Sequence, residues 1–340
     1  MLKQTSFMDI DMALICLFIA CFLCGLAGAW LISRRAFRWG LVDVPSLRSS
    51  HLHPMPRGGG LGIAAAMIIG GVSLSLPLGF WGIPALLGLV GLFDDRLKLS
   101  VRTRLGVQFV LAGTWVMACW SGEEFSLQSA ALAAFWVVFI VGSANFFNFM
   151  DGIDGIAGIS GAVGFGLLAL FGFAQSFVYL AFFCLLVSAA SLGFLPFNFP
   201  RPRVFMGDVG SVPLGFLFGA LVFSMTEGLA DFLCLTSFLF LFYADTISTL
   251  FIRWSCGERL SQPHRRHLYQ LLANELNKKH VSVSLAYGGL QLSIGLLMFF
   301  LWQWGLVWQI LFLSLLTCGF ILTTFTVRRL PHRDNREGAR

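Results

Sequence analysis

Charge is what this sequence has least of. Of its 340 residues, 12% are Asp, Glu, Lys or Arg, about half of what a soluble domain carries. So few charges cannot cover a water-facing surface, which excludes an ordinary cytosolic enzyme. Disorder is excluded too, because 57% of the residues are hydrophobic and 36 are Phe, and disordered chains are polar and short of aromatics. Internal repeats are missing, as are the paired broken helices that mark inverted-repeat transporters. No polar stretch is long enough for a separate soluble domain, so 1–340 reads as one domain. The eight cysteines lie in or beside apolar runs. Cys21 and Cys24 form a C-x-x-C pair, but with no second pair or neighbouring His they imply neither a disulfide framework nor a zinc site.

What remains is a polytopic, all-α membrane protein. A helix needs about 20 apolar residues to cross the hydrocarbon layer. On that rule there are about eleven spans, near 10–32, 60–78, 79–93, 105–121, 130–147, 156–174, 177–195, 211–226, 231–252, 282–301 and 304–327. The first is not a secretory signal: Asp9 and Asp11 precede it and Arg34, Arg35 and Arg38 follow it, the reverse of the usual order. Loops after odd-numbered spans, with the C-terminal tail, hold 22 of the 23 Lys and Arg, leaving Lys3 opposite. The positive-inside rule then predicts an outside (periplasmic) N-terminus and a cytoplasmic C-terminus. The 253–281 loop and the basic tail 328–340 fall on the cytoplasmic side. So do all six His and eleven of the seventeen acids.

Five clusters on that side carry possible chemistry. Asp94 and Asp95 close the third span, where two carboxylates oppose the helix dipole and are costly near lipid. A carboxylate pair kept there suits a cation or proton removal; the plainer alternative is a solvated helix end paired with Arg96 and Lys98. Asn145, Asn148, Asp151 and Asp154 recur every third residue, which on a helical turn puts them on one face. The Phe205–Ser211 run contains Asp208 between glycines at a helix start, either an N-cap or a turn facing an anion. In His53–Gly60, Arg57 and three glycines could wrap a phosphate through backbone N–H groups, or form a hinge. His264, Arg265, Arg266 and His267 precede Leu268, Leu271, Leu272 and Leu276, whose shared face predicts an amphipathic helix on the membrane surface. Asp245, alone in the ninth span, has no assignable role. The hard-oxygen set of Asp and Asn suits Mg²⁺, which binds through few protein ligands plus substrate phosphates; zinc would want Cys or more His. Arginines around such a site, open to the cytoplasm but set in lipid, suggest a phosphate carried on a lipid.

The runs D-D-x-x-K at 94–98, N-x-x-N-x-x-D-G-x-D-G at 145–155, F-M-G-D-x-G-S at 205–211 and H-x-x-P-x-R-G-G-G at 51–60 resemble those of the polyprenyl-phosphate N-acetylhexosamine-1-phosphate transferases, glycosyltransferase family 4. The likeness runs from about His53 to Gln270. P-H-R-R-H-L-Y-Q at 263–270 resembles the branch that starts lipopolysaccharide O-antigen or related glycans. Met55 stands where many members have Thr. The resemblance implies transfer of a sugar 1-phosphate from a UDP-N-acetylhexosamine to undecaprenyl phosphate at the bacterial cytoplasmic membrane, with UMP released and no nucleic acid involved. It implies Mg²⁺ (or Mn²⁺) on Asp208 and Asn148. Asp94 and Asp95 would engage the lipid phosphate, with Asp151 and Asp154 completing the acidic face. Asp154 and Phe205 would lie near the uridine. His264, Arg265, Arg266 and His267 would hold the sugar and its phosphate, with His53, Arg57 and Asn145 as further substrate contacts. A transporter or channel, or a lipid-pyrophosphate hydrolase, is the competing reading; acids placed at span ends, with no polar string across the bilayer, argue against transport.

Overall fold

The computed structural model describes residues 7–45, 53–119, 126–259 and 264–330, with side chains from Met12 onward. Thirteen helices account for almost all of it. They are α1 (Phe7–Trp39), α2 (Leu61–Ser73), α3 (Leu78–Leu97), α4 (Val101–Ala118), α5 (Leu127–Phe149), α6 (Ile156–Ala174) and α7 (Val178–Asn198), followed by α8 (Asp208–Met225), α9 (Leu229–Ser237), α10 (Phe240–Ser255), α11 (Leu268–Gln270), α12 (His280–Trp302) and α13 (Leu306–Arg329). A two-residue hairpin, β1 (Val42–Asp43) against β2 (Met55–Pro56), precedes α2.

Each expected span falls on a helix, but they are not equivalent. Eight helices among the described residues are long and apolar enough to cross a membrane, and α9 with α10 makes a ninth if that bent pair is one span. The difference from eleven lies at α2, with 13 residues, and at α4, which opens on Arg102 and Arg104. The centre of the bundle is α8, buried along nearly its whole length and packed against α3 and α5. A helix apolar on every side belongs inside, and α8 has one charged residue, Asp208, at its first position.

The continuous helix expected over 231–252 is broken. α9 and α10 meet at 88°. A break in apolar surroundings frees backbone groups that must find partners, and α12 supplies them. Gln291, 1% exposed, accepts the Leu241 N–H at 3.2 Å and donates to the Ser237 carbonyl at 2.9 Å. Replacing Gln291 with Leu should strand both groups, at a cost of about 1–3 kcal/mol. A lowered Tm of the purified protein checks this; an unchanged Tm would show that the break is held by other contacts.

Candidate active site

The connections between helices meet at one end of the bundle, and the acids meet there too. α3 ends with Asp94 and Asp95, 8% and 6% exposed. Lys98 closes the helix in the left-handed region (φ 54°), its N–H donating to the Asp94 carbonyl. Ser100 then caps α4 through the Thr103 N–H, which places Arg104 one turn into α4 and facing back. Arg104 Nη1 donates to Asp94 Oδ2 at 2.8 Å and to Asp208 Oδ2 at 3.0 Å. Arg57 approaches from the opposite side, with Nε 2.7 Å from Asp95 Oδ1 and Nη2 2.6 Å from Asp208 Oδ1. Asn148, in the last turn of α5, donates to Asp208 Oδ1 at 3.0 Å and to Ser211 at 2.8 Å. The Asp208 carboxylate, 2% exposed, thus receives two guanidinium groups and one amide.

Burial opposes the Arg57 charge, but Asp95 and Asp208 outweigh it and push that guanidinium further above its usual range. Asp151, in the turn between α5 and α6, has no hydrogen bond to its side chain among the described residues. Desolvation, reinforced by the charges of Asp208 and Asp95 and opposed by Arg57, pushes its pKa up to about 7. Three carboxyl groups, Asp94, Asp95 and Asp208, meet two guanidiniums here, and Asp151 is a fourth acid close enough to feel them.

At two places the backbone N–H groups that could face an anion meet protein instead. The N–H groups of Gly58 and Gly59 donate to the Phe205 carbonyl, and that of Gly60 to the Met206 carbonyl. They are spent on the strand-like 205–206 segment and are not free for phosphate. The glycines are there for proximity instead: a Cβ on Gly60 would stand 2.3 Å from Gly210 Cα. The start of α8 is also occupied, because the Asp208 and Val209 N–H groups point at Asp95, at 3.2 and 3.5 Å. Asp95 caps a helix from another helix. Gly207 makes that possible; its φ is +75°, and a Cβ there would lie 2.4 Å from Asp95 Oδ2.

The Asn145–Asp154 series does not stay on one helical face, because α5 ends at Phe149. Asn145 lies a turn deeper and donates to Gln108 of α4 at 2.6 Å. Asp154 turns away to His280 at the start of α12, 2.8 Å from its Nδ1, and its backbone carbonyl accepts from Ser284. His53 is exposed, and Phe205 is half-buried beside Arg57.

The basic turn is held in place from several directions. Arg266 pairs with Glu258, and its carbonyl accepts from Arg328 at 2.6 Å. His264 Nδ1 accepts the Arg266 N–H at 3.3 Å. Desolvation, with the nearby His267, Arg253 and Arg266, lowers the His264 pKa to about 4, so at neutral pH its Nε2 carries the proton as a donor. His267 is 3% exposed and lies against Asp245 and Phe149. Its ring faces the bundle rather than a cleft, contrary to a sugar-binding role in this conformation. The following segment packs partly against the bundle. Leu268, Tyr269 and Leu271 are buried in protein, and Tyr269 donates to the Phe149 carbonyl at 2.9 Å.

Arg104, His280 and Glu258 were not legible as site residues. Arg104 counts in sequence as one more positive-inside residue, and only the α3–α4 turn reveals its aim. No three of the described His, Cys, Asp or Glu form a ready metal cage. The donor chemistry nonetheless fits a hard divalent cation, which takes one or two carboxylates and completes its shell with water and phosphate. Asp208 is an oxygen donor in a site where acids outnumber arginines, and a flip of the Asn148 amide would present its oxygen beside it.

Residues 77–226 match the family described as Glycosyl transferase family 4, a segment that contains Asp94, Asp95, Arg104, Asn148, Asp151 and Asp208. A decaprenyl-phosphate N-acetylglucosaminephosphotransferase of Mycolicibacterium smegmatis is 28% identical over 74% of this chain and 73% of its own length. An undecaprenyl-phosphate alpha-N-acetylglucosaminyl 1-phosphate transferase of Yersinia pestis is 28% identical, with 74% of each chain covered. A probable undecaprenyl-phosphate N-acetylglucosaminyl 1-phosphate transferase of Bacillus subtilis is 28% identical, over 55% of this chain and 56% of its own. With four motif runs in order and the acids of three of them assembled at one end of a helical bundle, the segment 77–226 matches glycosyl transferase family 4, and the chain is similar over about three quarters of its length to polyprenyl-phosphate N-acetylglucosamine-phosphate transferases.

Proposed function

We propose that this protein transfers N-acetylhexosamine 1-phosphate from a UDP-sugar to undecaprenyl phosphate, giving undecaprenyl-diphospho-N-acetylhexosamine and UMP. The step would begin an O-antigen or related surface glycan, at the cytoplasmic face of the bacterial inner membrane. The observation that carries this reading is the meeting of Asp94, Asp95 and Asp208 with Arg57, Arg104 and Asn148. Joining two phosphates means bringing anions together. Two unit charges 4 Å apart repel by about 4 kcal/mol at an effective dielectric of 20, and the two guanidiniums offset that repulsion.

A lipid phosphate oxygen attacks the β-phosphorus of the donor, and the bond from that phosphorus to the UMP oxygen breaks. UMP leaves with the bonding pair, so one phosphoanhydride replaces another. Asp208 and Asn148 would hold Mg²⁺, which when bound supplies positive charge against the donor's two phosphates. Arg57 and Arg104 exchange carboxylate partners for phosphate oxygens, a bidentate contact that suits the guanidinium fork. Asp151, poised near neutral pH and with no hydrogen bond to its side chain among the described residues, takes the proton of the lipid monophosphate. Phe205 would stack on the uracil, and His264 would donate to the sugar.

Three outcomes test this reading. Purified protein given undecaprenyl phosphate, Mg²⁺ and a panel of UDP-N-acetylhexosamines should release UMP with one donor strongly preferred, the preference reading out hydroxyl contacts; inorganic phosphate in place of UMP would indicate a hydrolase. Asp208→Asn should lower kcat/KM by about a hundredfold or more while leaving the protein folded in a melting assay; full activity would remove Asp208 from the metal role. As an acceptor, Asp151 must be ionised, so kcat/KM should climb with pH and level off above about 7. Asp151→Asn should abolish that limb, and an unchanged profile would assign the proton elsewhere.

A further inference from the structure

Asp245 lies outside the acidic cluster, in the middle of α10, and is fully buried (0% exposed). A carboxylate in such a place is costly unless it is saturated with hydrogen bonds, and this one is. Oδ1 accepts the Leu268 N–H at 2.8 Å and the Thr249 hydroxyl at 3.3 Å. Oδ2 accepts the Tyr269 N–H at 3.2 Å and the Tyr287 hydroxyl at 2.9 Å. His267 Nδ1 stands 3.4 Å from Oδ1. The Leu268 and Tyr269 donors are backbone groups that open α11, which no residue of the loop itself satisfies, so a side chain more than 20 residues upstream does the work of a helix cap.

What Asp245 grips is the end of the basic turn, and that turn continues into the acidic site. Tyr269 reaches the Phe149 carbonyl at the end of α5, one residue beyond Asn148. Its hydroxyl packs so closely on Gly152 that a Cβ there would be 2.1 Å away. Asp245, Tyr269 and the 150–154 turn therefore form one connected contact from α10 to the acids. We propose that Asp245 is a positioning residue, fixing the His264–His267 turn against the acidic turn by accepting the N–H groups of Leu268 and Tyr269. It touches no substrate; it sets where the donor-binding turn stands, an inference that rests on the transfer reaction proposed above.

Asp245→Asn keeps the size but turns an NH₂ toward one of the two backbone N–H groups, setting donor against donor. Hydrogen exchange of the full-length protein in detergent, read by mass spectrometry, should show residues 264–270 exchanging about tenfold faster or more, with α6 and α8 unchanged. Donor KM should rise about tenfold while kcat stays within about threefold, a split that a general loss of structure would not give. Asp245→Glu, which keeps the charge, should recover part of the KM, and Tyr287→Phe, which removes one donor, should move both readings the same way by less. Unchanged exchange at 264–270, or a fall in kcat with KM unaltered, would overturn the proposal. If Asp245→Asn does not fold, Tyr287→Phe decides by the same readings. Wild-type protein that makes no diphospho-lipid would refute the transfer reaction, while the exchange result would still judge the anchoring.

Discussion

The structure turns on one carboxylate. Asp208 is buried at the head of the most enclosed helix, and a lone carboxylate there would cost several kcal/mol. Arg57, Arg104 and Asn148 make it tolerable by reaching it from three separate elements, and Asp95 is drawn in to cap the same helix. Neutralising Asp208 therefore ties the 57–60 loop, α3, α4, α5 and α8 into one assembly. The arrangement also sets acids that outnumber the arginines beside two guanidiniums, a mixed set of groups that suits a divalent ion and phosphate.

The same economy explains the second layer. Asp245 performs for the basic turn what Asp95 performs for α8, an acid on one helix capping another. Gln291 serves the break between α9 and α10 in kind. In apolar surroundings backbone ends must be satisfied by protein, and Asp95, Asp245 and Gln291 each do this for a helix end or break. Polar residues are few, and Asp95 and Asp208 serve both the fold and the site.

Much of this was legible from the chain alone. Apolar runs located the long helices of the bundle, though not the break between α9 and α10 or the short α11, and the separation of Lys and Arg from the opposite loops predicted that the acids share one side. The acids Asp94, Asp95 and Asp208 with Asn148 were picked out correctly as a group that meets. The failures have a common cause: sequence shows that a backbone N–H is exposed by glycine or by a helix start, but not what it meets. Gly58–Gly60 could be a hinge or a phosphate loop and the start of α8 a cap or an anion-facing turn; in the structure their N–H groups meet the 205–206 carbonyls and Asp95. Three-residue spacing put Asp154 with Asn148, yet α5 stops at Phe149 and Asp154 turns to His280. Arg104 and the partners of Asp245 depend on turns and on contacts between distant helices, which no local pattern encodes.

The central claim is that the assembled acids and arginines move a sugar together with its phosphate. The most direct measurement follows a donor UDP-N-acetylglucosamine labelled at the β-phosphorus, or the preferred hexosamine analogue labelled the same way. The account requires the label to enter the lipid product, with unlabelled UMP released in equal amount. Label retained in UDP would mean that the sugar moves without its phosphate, and label in free phosphate would mean hydrolysis; either contradicts it.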